Sequence, residues 1–254
     1  NTLVTETTRG LSHREPSRQR ESEMVTLLED ARRTLERGGS VLIPVFALGR
    51  MQEMIVVLDE AFRRNALPKT PVFCSGLGMD LVNHFHEISK NTTRVRFNRK
   101  VLRSLGARPL PRKIEPGREP PMQGIYLVSS GMLVEHTPSY VMASTLLGDE
   151  RNSILFVGYC DPSTPGGQLL QAEHGSPFEF EAYNQIESIR AKIRQFDLSG
   201  HADREQLVAY AQKLSPANIF LHHGDPEARS WFADALHSTG AKIINPEPLK
   251  FYET

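Results

Sequence analysis

Cysteine is scarce in this sequence. Its 254 residues contain two, Cys74 and Cys160. That is too few for a disulfide framework and suits a reducing compartment, so a cytoplasmic location is expected. An excess of one charge is also missing. Thirty basic and thirty acidic side chains cancel, so no global field steers the chain toward nucleic acid, and any such partner must be held by a local patch. No apolar run reaches the roughly 18 residues of a membrane span, and no signal-peptide pattern is visible, so no membrane partner is expected. Internal repeats and low-complexity segments are absent. The apolar share, 39%, is that of a soluble globular protein. The length suffices for one large domain or two ordinary ones.

What is present is an alternation of helical and extended patterns. "TLVTE" reads as a short strand, and residues 11–23 as a polar loop or frayed helix start. "MVTLLEDARRTLERGG" carries Met24, Leu27, Leu28, Ala31 and Leu35 at helical spacing, and Gly38 stops it. "SVLIPVF" (40–46) is a continuous apolar run of strand length, the kind buried on both faces of a parallel sheet. A helix, "RMQEMIVVLDEAFRRN", and a strand, "TPVFCSG", follow. Later strands are predicted in "GIYLVSSG" (124–131), "NSILFVGYC" (152–160), "RAKIRQFDLSG" (190–200) and "ANIFLHHG" (217–224). Alternation of this kind predicts an α/β fold with a parallel sheet flanked by helices. Ligands in such sheets gather beyond the carboxyl ends of the strands. Glu6, Ser129, Ser130, His201 and His223 all fall at such ends.

Two stretches concentrate chemistry. In "FDLSGHADREQL" (196–207) an apolar run ends at Leu198, and Ser199, Gly200, His201, Ala202 and Asp203 follow together. "IFLHHGDPEA" (219–228) repeats the pattern, with a strand leading to histidine, glycine and an acid. A lone histidine at such a place is usually structural; two at equivalent places raise a paired site. His222 alternates with His223, so only one of them can face it. Asp203 suits an ordinary helix N-terminal carboxylate. The remaining histidines are less informative: His13, His136, His174 and His237 lie in polar contexts, and His84 and His86, two apart on a predicted helix, do not share a face.

One charge run stands out. Between Arg94 and Lys113 lie eight basic residues and no acid: Arg94, Arg96, Arg99, Lys100, Arg103, Arg108, Arg112 and Lys113. It reads either as a solvated connector or as a track for backbone phosphates. Weaker candidates for substrate contact are Arg50, which Glu53 could equally pair, and the strand-end turn Ser129, Ser130 and Gly131. Tyr159 in "GYC" reads as packing, and the role of the Pro/Gly loop "DPSTPGG" (161–167) is open.

Taken together these stretches resemble a family. "RGGSVLIPVFALGRMQEMIVVLDE" is similar to the segment that opens the β-CASP domain of metallo-β-lactamase-fold nucleases, and "VSSGM", "RNSILFVGYC" and "GGQLL" match further along. That group includes the pre-mRNA 3′-end cleavage endonuclease with its archaeal and bacterial relatives, and ribonuclease J. "LVTETTRG" resembles the family's motif A, "SGHAD" motif B and "HHGD" motif C. The resemblance implies a β-CASP insertion at residues 11–184, flanked at 1–10 and 185–254 by parts of a metallo-β-lactamase αββα domain. It further implies a zinc-dependent ribonuclease acting on single-stranded RNA, with two zinc ions, His223 as a metal ligand and the pair Glu6 and His201 as proton-transfer residues. Ser199 and Gly200 would leave room, and backbone N–H groups, for the scissile phosphate.

The same resemblance exposes a gap. The family's main zinc ligands come from an H-x-H-x-D-H run, a further histidine and an aspartate, all upstream of motif A, and no H-x-H-x-D-H occurs here. The expectation is that these residues form part of a longer polypeptide. This chain alone would then bind zinc weakly or not at all and lack activity. The alternative is a non-catalytic nucleic-acid-binding or assembly module. A homodimer is a candidate assembly, and the sequence does not settle oligomeric state. Nor does it settle endonuclease against 5′-exonuclease action.

Overall fold

A computed structural model describes residues 1–15, 19–93, 97–111, 113–120 and 122–252. The chain forms two compact units, one of residues 20–198 and one joining residues 1–19 to 199–254.

The larger unit is built on six strands: β2 (Val41–Pro44), β3 (Val72–Cys74), β4 (Arg108–Pro109), β5 (Ile125–Val128), β6 (Ser153–Phe156) and β9 (Lys192–Gln195). They lie in the order β4-β3-β5-β2-β6-β9, and every pairing is parallel. Side chains alternate across the sheet, as a two-residue period requires. Val41, Ile43, Ile125, Leu127 and Leu155 pack on one face with α1 (Arg20–Glu36) and α2 (Arg50–Arg63). Leu42, Tyr126, Val128, Ile154 and Phe156 pack on the other with α5 (Pro138–Leu146) and α6 (Pro165–Gln171). Burial on both faces explains why these strands read as unbroken apolar runs. α3 (Gly76–Lys90), a short α4 (Val101–Leu105) and an antiparallel hairpin of β7 (Pro177–Phe180) and β8 (Gln185–Ser188) complete the unit.

Several local features differ from the expected pattern. α1 begins at Arg20, one turn before the first apolar residue of its pattern, with Glu21 and Glu23 complementing its N-terminal dipole. The loop "DPSTPGG" contains the start of α6: Pro165 opens the helix, and the Gly167 N–H donates to Thr164 Oγ1 at 3.2 Å. Arg99, Lys100, Arg103, Arg108 and Lys113 of the basic run are exposed on and around α4 and β4, whereas Arg94, Arg96 and Arg112 lie outside the described residues.

The smaller unit carries a three-stranded parallel sheet in the order β1-β10-β11, with β1 at Thr2–Glu6, β10 at Asn218–His222 and β11 at Lys242–Ile244. Ile219, Leu221, Phe232, Leu236 and Ala211 form its core with α7 (Arg204–Leu214) and α8 (Pro226–Leu236). Compactness divides the chain at 19/20 and 198/199. The expected family boundaries at 10/11 and 184/185 follow motif order instead, and β9, hydrogen-bonded to β6, lies inside the larger compact unit.

Candidate active site

Parallel pairing brings the ends of β1 and β10 side by side. Glu6 stands opposite His222, and beyond it the Thr7 N–H donates to the His223 carbonyl at 3.2 Å. The strand stops there because His223 adopts a left-handed conformation, φ 53°. For a residue with a bulky side chain that is a sparsely populated state, of the sort found where a ring must be aimed. Gly224 follows because the chain runs against Thr7: a Cβ there would lie 2.3 Å from Thr7 Oγ1 and 2.9 Å from the Thr7 carbonyl carbon. α8 then starts after Asp225 with Pro226 in its first turn.

His201 reaches the same place from the loop before α7. Its N–H donates to Ser199 Oγ at 3.1 Å, which folds Ser199, Gly200 and His201 into a tight turn. Asp203 is the N-cap of α7, and its N–H donates to Gln206 Oε1 at 3.1 Å. The Asp203 carboxylate faces two guanidinium groups, with Arg9 Nε and Arg14 Nε each 3.2 Å from Oδ1. Its place is that of a helix-cap carboxylate tied to the segment after β1, which anchors the loop on its far side.

The result is a cluster of three groups. His201 Nδ1 lies 3.1 Å from Glu6 Oε2, and the rings of His201 and His223 stack with centroids 5.5 Å apart. One ligand-type atom from each of Glu6, His201 and His223 falls within 4.8 Å of the others. Glu6 is partly buried, with 27% of its side chain exposed against 42% for His201. Burial alone would raise the Glu6 carboxyl. Hydrogen bonds from the Thr8 side chain and amide, and the charge and hydrogen bond of His201, outweigh it and hold the group below the ordinary glutamate range.

Thr8 bears on the tautomer of His223. Its single hydroxyl proton goes to an oxygen, the His223 carbonyl at 3.1 Å or the Glu6 carboxylate, and its oxygen, 2.9 Å from His223 Nδ1, then accepts from that nitrogen. Nδ1 then carries the proton and Nε2 is left as a bare donor, the form in which imidazole binds a metal. An ionised carboxylate only accepts, so His201 in turn donates from Nδ1 to Glu6. The donor set fits zinc: a ring nitrogen oriented by a hydroxyl, beside a second histidine and a carboxylate, is nitrogen and oxygen chemistry that zinc accepts. Thr8 is a functional residue that sequence reasoning passed over. A hydroxyl two residues beyond a strand-end glutamate was the available signal.

The other candidates do not join this cluster. Arg50 lies at the start of α2 in the larger unit, where its guanidinium meets the Glu53 carboxylate at 2.5 Å and also donates to the Leu198 carbonyl. Ser129, Ser130 and Gly131 follow β5 in the same unit. The Ser129 N–H is taken by Ser75 Oγ at 3.2 Å, Ser130 Oγ accepts from the Val134 N–H at 2.9 Å, and Gly131 is buried. His222 is exposed beside His223, with ring centroids 6.3 Å apart.

Comparison of the sequence with known proteins points to one family. Residues 51–169 match the model of the Beta-Casp domain, and residues 187–246 match a Zn-dependent metallo-hydrolase RNA specificity domain. The chain belongs to the β-CASP family. Among β-CASP relatives, transcription termination factor FttA of Methanothermobacter thermautotrophicus is 31% identical over 94% of this chain and 39% of its own length. Integrator complex subunit 11 of Gallus gallus is 29% identical over 88% of this chain and 36% of its own. The homologue of that subunit in Dictyostelium discoideum is 27% identical over 92% and 32%. The chain therefore spans less than two fifths of the length of these relatives. Membership implies zinc.

Proposed function

We propose that the polypeptide carrying this chain is a zinc-dependent ribonuclease that hydrolyses phosphodiester bonds in single-stranded RNA. The observation that carries the reading is the triangle of Glu6, His201 and His223, with the His223 ring held by Thr8 and the His201 ring by Glu6. Residues 1–10 and 185–254 belong, in this reading, to a metallo-β-lactamase domain into which a β-CASP domain, 11–184, is inserted. The pairing of β1 with β10 across the intervening larger unit supports it.

His223 would hold zinc through Nε2, and the remaining ligands are those the family draws from its H-x-H-x-D-H run, two ions in all. Zinc when bound supplies a hydroxide at neutral pH and neutralises charge on the attacked phosphate. The residues of this chain do the rest. When His201 carries both ring protons, its Nε2–H would give a proton to the departing oxygen while its Nδ1–H stays on the Glu6 carboxylate. The Glu6 carboxylate, 3.1 Å from Nδ1, holds the ring in that orientation. The turn at Ser199 and Gly200 leaves open space beside His201, where no atom approaches the position of a Gly200 Cβ within 4 Å.

The test is metal analysis together with cleavage of end-labelled single-stranded RNA by the full-length, zinc-loaded polypeptide and its His223→Ala variant. The wild type is expected to cleave, and the variant to lose both zinc and rate. A wild type that holds zinc and RNA without cleaving would indicate the non-catalytic module instead, and full zinc with full rate in the variant would remove His223 from the site.

A further inference from the structure

Ion pairs neutralise many surface arginines of the larger unit. Arg32 pairs with Glu36, Arg63 with Asp59, Arg64 with Glu60, Arg118 with Glu115 and Arg151 with Asp149. The segment around α4 departs from this. Arg99, Lys100 and Arg103, with Arg108 and Lys113 beyond them, are exposed, and among the described residues no carboxylate lies within ion-pair distance of any of the five. Glu87, whose charge Arg99 feels, has its own cation: Lys90 Nζ lies 2.7 Å from Oε1, and that hydrogen bond, more than Arg99, holds its carboxyl below the ordinary range.

The support under these charges is fixed. Phe97 lies edge-on to Phe85 of α3, with ring centroids 5.8 Å apart, and its carbonyl accepts from Ser89 Oγ at 2.8 Å. Helical turns then begin: the Val101 N–H donates to the Asn98 carbonyl at 3.0 Å and the Ser104 N–H to the Lys100 carbonyl at 2.9 Å. Val101, Leu102 and buried Leu105 face the core beside α2. At helical spacing Arg99, Lys100 and Arg103 fall within one arc on the other side. Gly106 ends the helix with φ 65°, and the Ala107 N–H donates back to the Leu102 carbonyl at 3.0 Å. β4 pairs with β3, and the Leu110 N–H donates to the Cys74 carbonyl at 3.1 Å. A chain anchored at both ends and along one side is no loose connector.

We propose that the exposed arc of α4, with Arg99, Lys100 and Arg103, is a docking surface for the phosphate backbone of single-stranded RNA. The proposal rests on the ribonuclease reading for its partner and adds where the larger unit holds the strand. Charge complementarity carries it: in a chain of zero net charge, three cations without acids gather on one rigid face. Residues one helical turn apart are about 5–6 Å apart at Cβ, so a flexible strand can offer them successive phosphates. The surface reads no sequence. Phe97 is the one aromatic between Arg94 and Lys113, and its ring is engaged by Phe85, so no base-stacking platform accompanies the charges.

The experiment uses the full-length, zinc-loaded polypeptide with the triple variant Arg99→Gln/Lys100→Gln/Arg103→Gln, the double variant Arg99→Lys/Arg103→Lys and, at an ion-paired position, Arg32→Gln. Affinity for uridine-only and adenosine-only strands, phosphorothioate-linked to resist hydrolysis, is measured between about 50 and 200 mM salt, with circular dichroism as the check of folding. The triple variant should bind roughly 3- to 30-fold more weakly and lose about 2 from the slope of log affinity against log salt, about 0.7 for each phosphate contact. Both strands should suffer alike. Arg99→Lys/Arg103→Lys and Arg32→Gln should keep the wild-type slope, since charge at α4 carries the effect. An unchanged slope in the folded triple variant would overturn the proposal, and so would a loss confined to one of the two strands. Unchanged RNA binding with lost affinity for polyglutamate would overturn it in favour of an acidic protein partner. Should the triple variant not fold, Arg99→Gln and Arg103→Gln singly carry the test, and wild-type slopes in both would overturn it. A wild type that binds RNA through this face but never cleaves an ordinary strand would instead sink the ribonuclease reading and leave the docking surface standing.

Discussion

The two units of this chain use the same architecture for opposite ends. Each is a parallel sheet covered by helices. The six-stranded sheet buries both faces, and its strand ends carry hydroxyls and backbone groups that hydrogen-bond to one another, as Ser75 does with Ser129. The three-stranded sheet has a small core, yet the ends of β1 and β10 and the loop before α7 gather Glu6, His201 and His223. Among the described residues this is the single group of its kind able to hold a metal. A parallel sheet thus supplies equivalent positions, and side-chain chemistry decides which of them become a site.

The largest effect expected from breaking this contrast is in the small unit. His201→Ala in the full-length, zinc-loaded polypeptide should cut turnover by about two to four orders of magnitude, the range for loss of a general acid, with zinc content kept. Loss of metal in that variant, read by metal analysis, would make His201 a ligand instead. In the larger unit the corresponding blow is to stability. Phe156 is fully buried on β6, and Phe156→Ala should cost about 3–5 kcal/mol in denaturant unfolding. A loss below about 1 kcal/mol would contradict the packing described.

Smaller effects sharpen the comparison. Glu6→Gln keeps the shape and removes the charge, so it should slow cleavage in the same direction as His201→Ala but less. Its pH dependence follows from the sign of the shift. The folded-state pKa of Glu6 lies below the ordinary value, so the stabilisation it brings is present above the ordinary glutamate range and is lost as pH falls through the lowered value. The difference in unfolding stability between wild type and Glu6→Gln should therefore shrink as pH falls from about 5 through the lowered value; a difference unchanged over that fall would show that the fold does not favour the charged carboxylate. Smallest of all, charge reversal at exposed Arg99 and Arg103 should weaken RNA binding and flatten its salt dependence. An unchanged salt slope would make the run a solvated connector.

Much of this was legible in the sequence because strands buried on both faces leave continuous apolar runs. "SVLIPVF" and "NSILFVGYC" read correctly for that reason, trimmed to Val41–Pro44 and Ser153–Phe156. The two histidine stretches were visible as breaks where such runs end. The hairpin of β7 and β8 left a weaker mark, since its strands are four residues each and one begins at Pro177. β4, two residues of arginine and proline, left none. The partner of Arg50 was only half readable. Glu53 lies one helical turn away, but the second partner is a backbone carbonyl 148 residues distant, which no side-chain pattern encodes. Thr8 was missed for a similar reason: its role lies in sharing one hydroxyl between the carbonyl and the ring nitrogen of His223, just beyond β10.

The proposal to test most directly is that Glu6 and His201 work as one unit, with His223 apart from them as the proposed metal ligand. A double-mutant cycle on single-turnover RNA cleavage tests it, with Glu6→Gln, His201→Ala and the pair made in the full-length, zinc-loaded polypeptide and zinc measured in each. Full zinc throughout and a double variant barely slower than His201→Ala alone are expected. Independent losses that multiply, or zinc lost with His201, would contradict it.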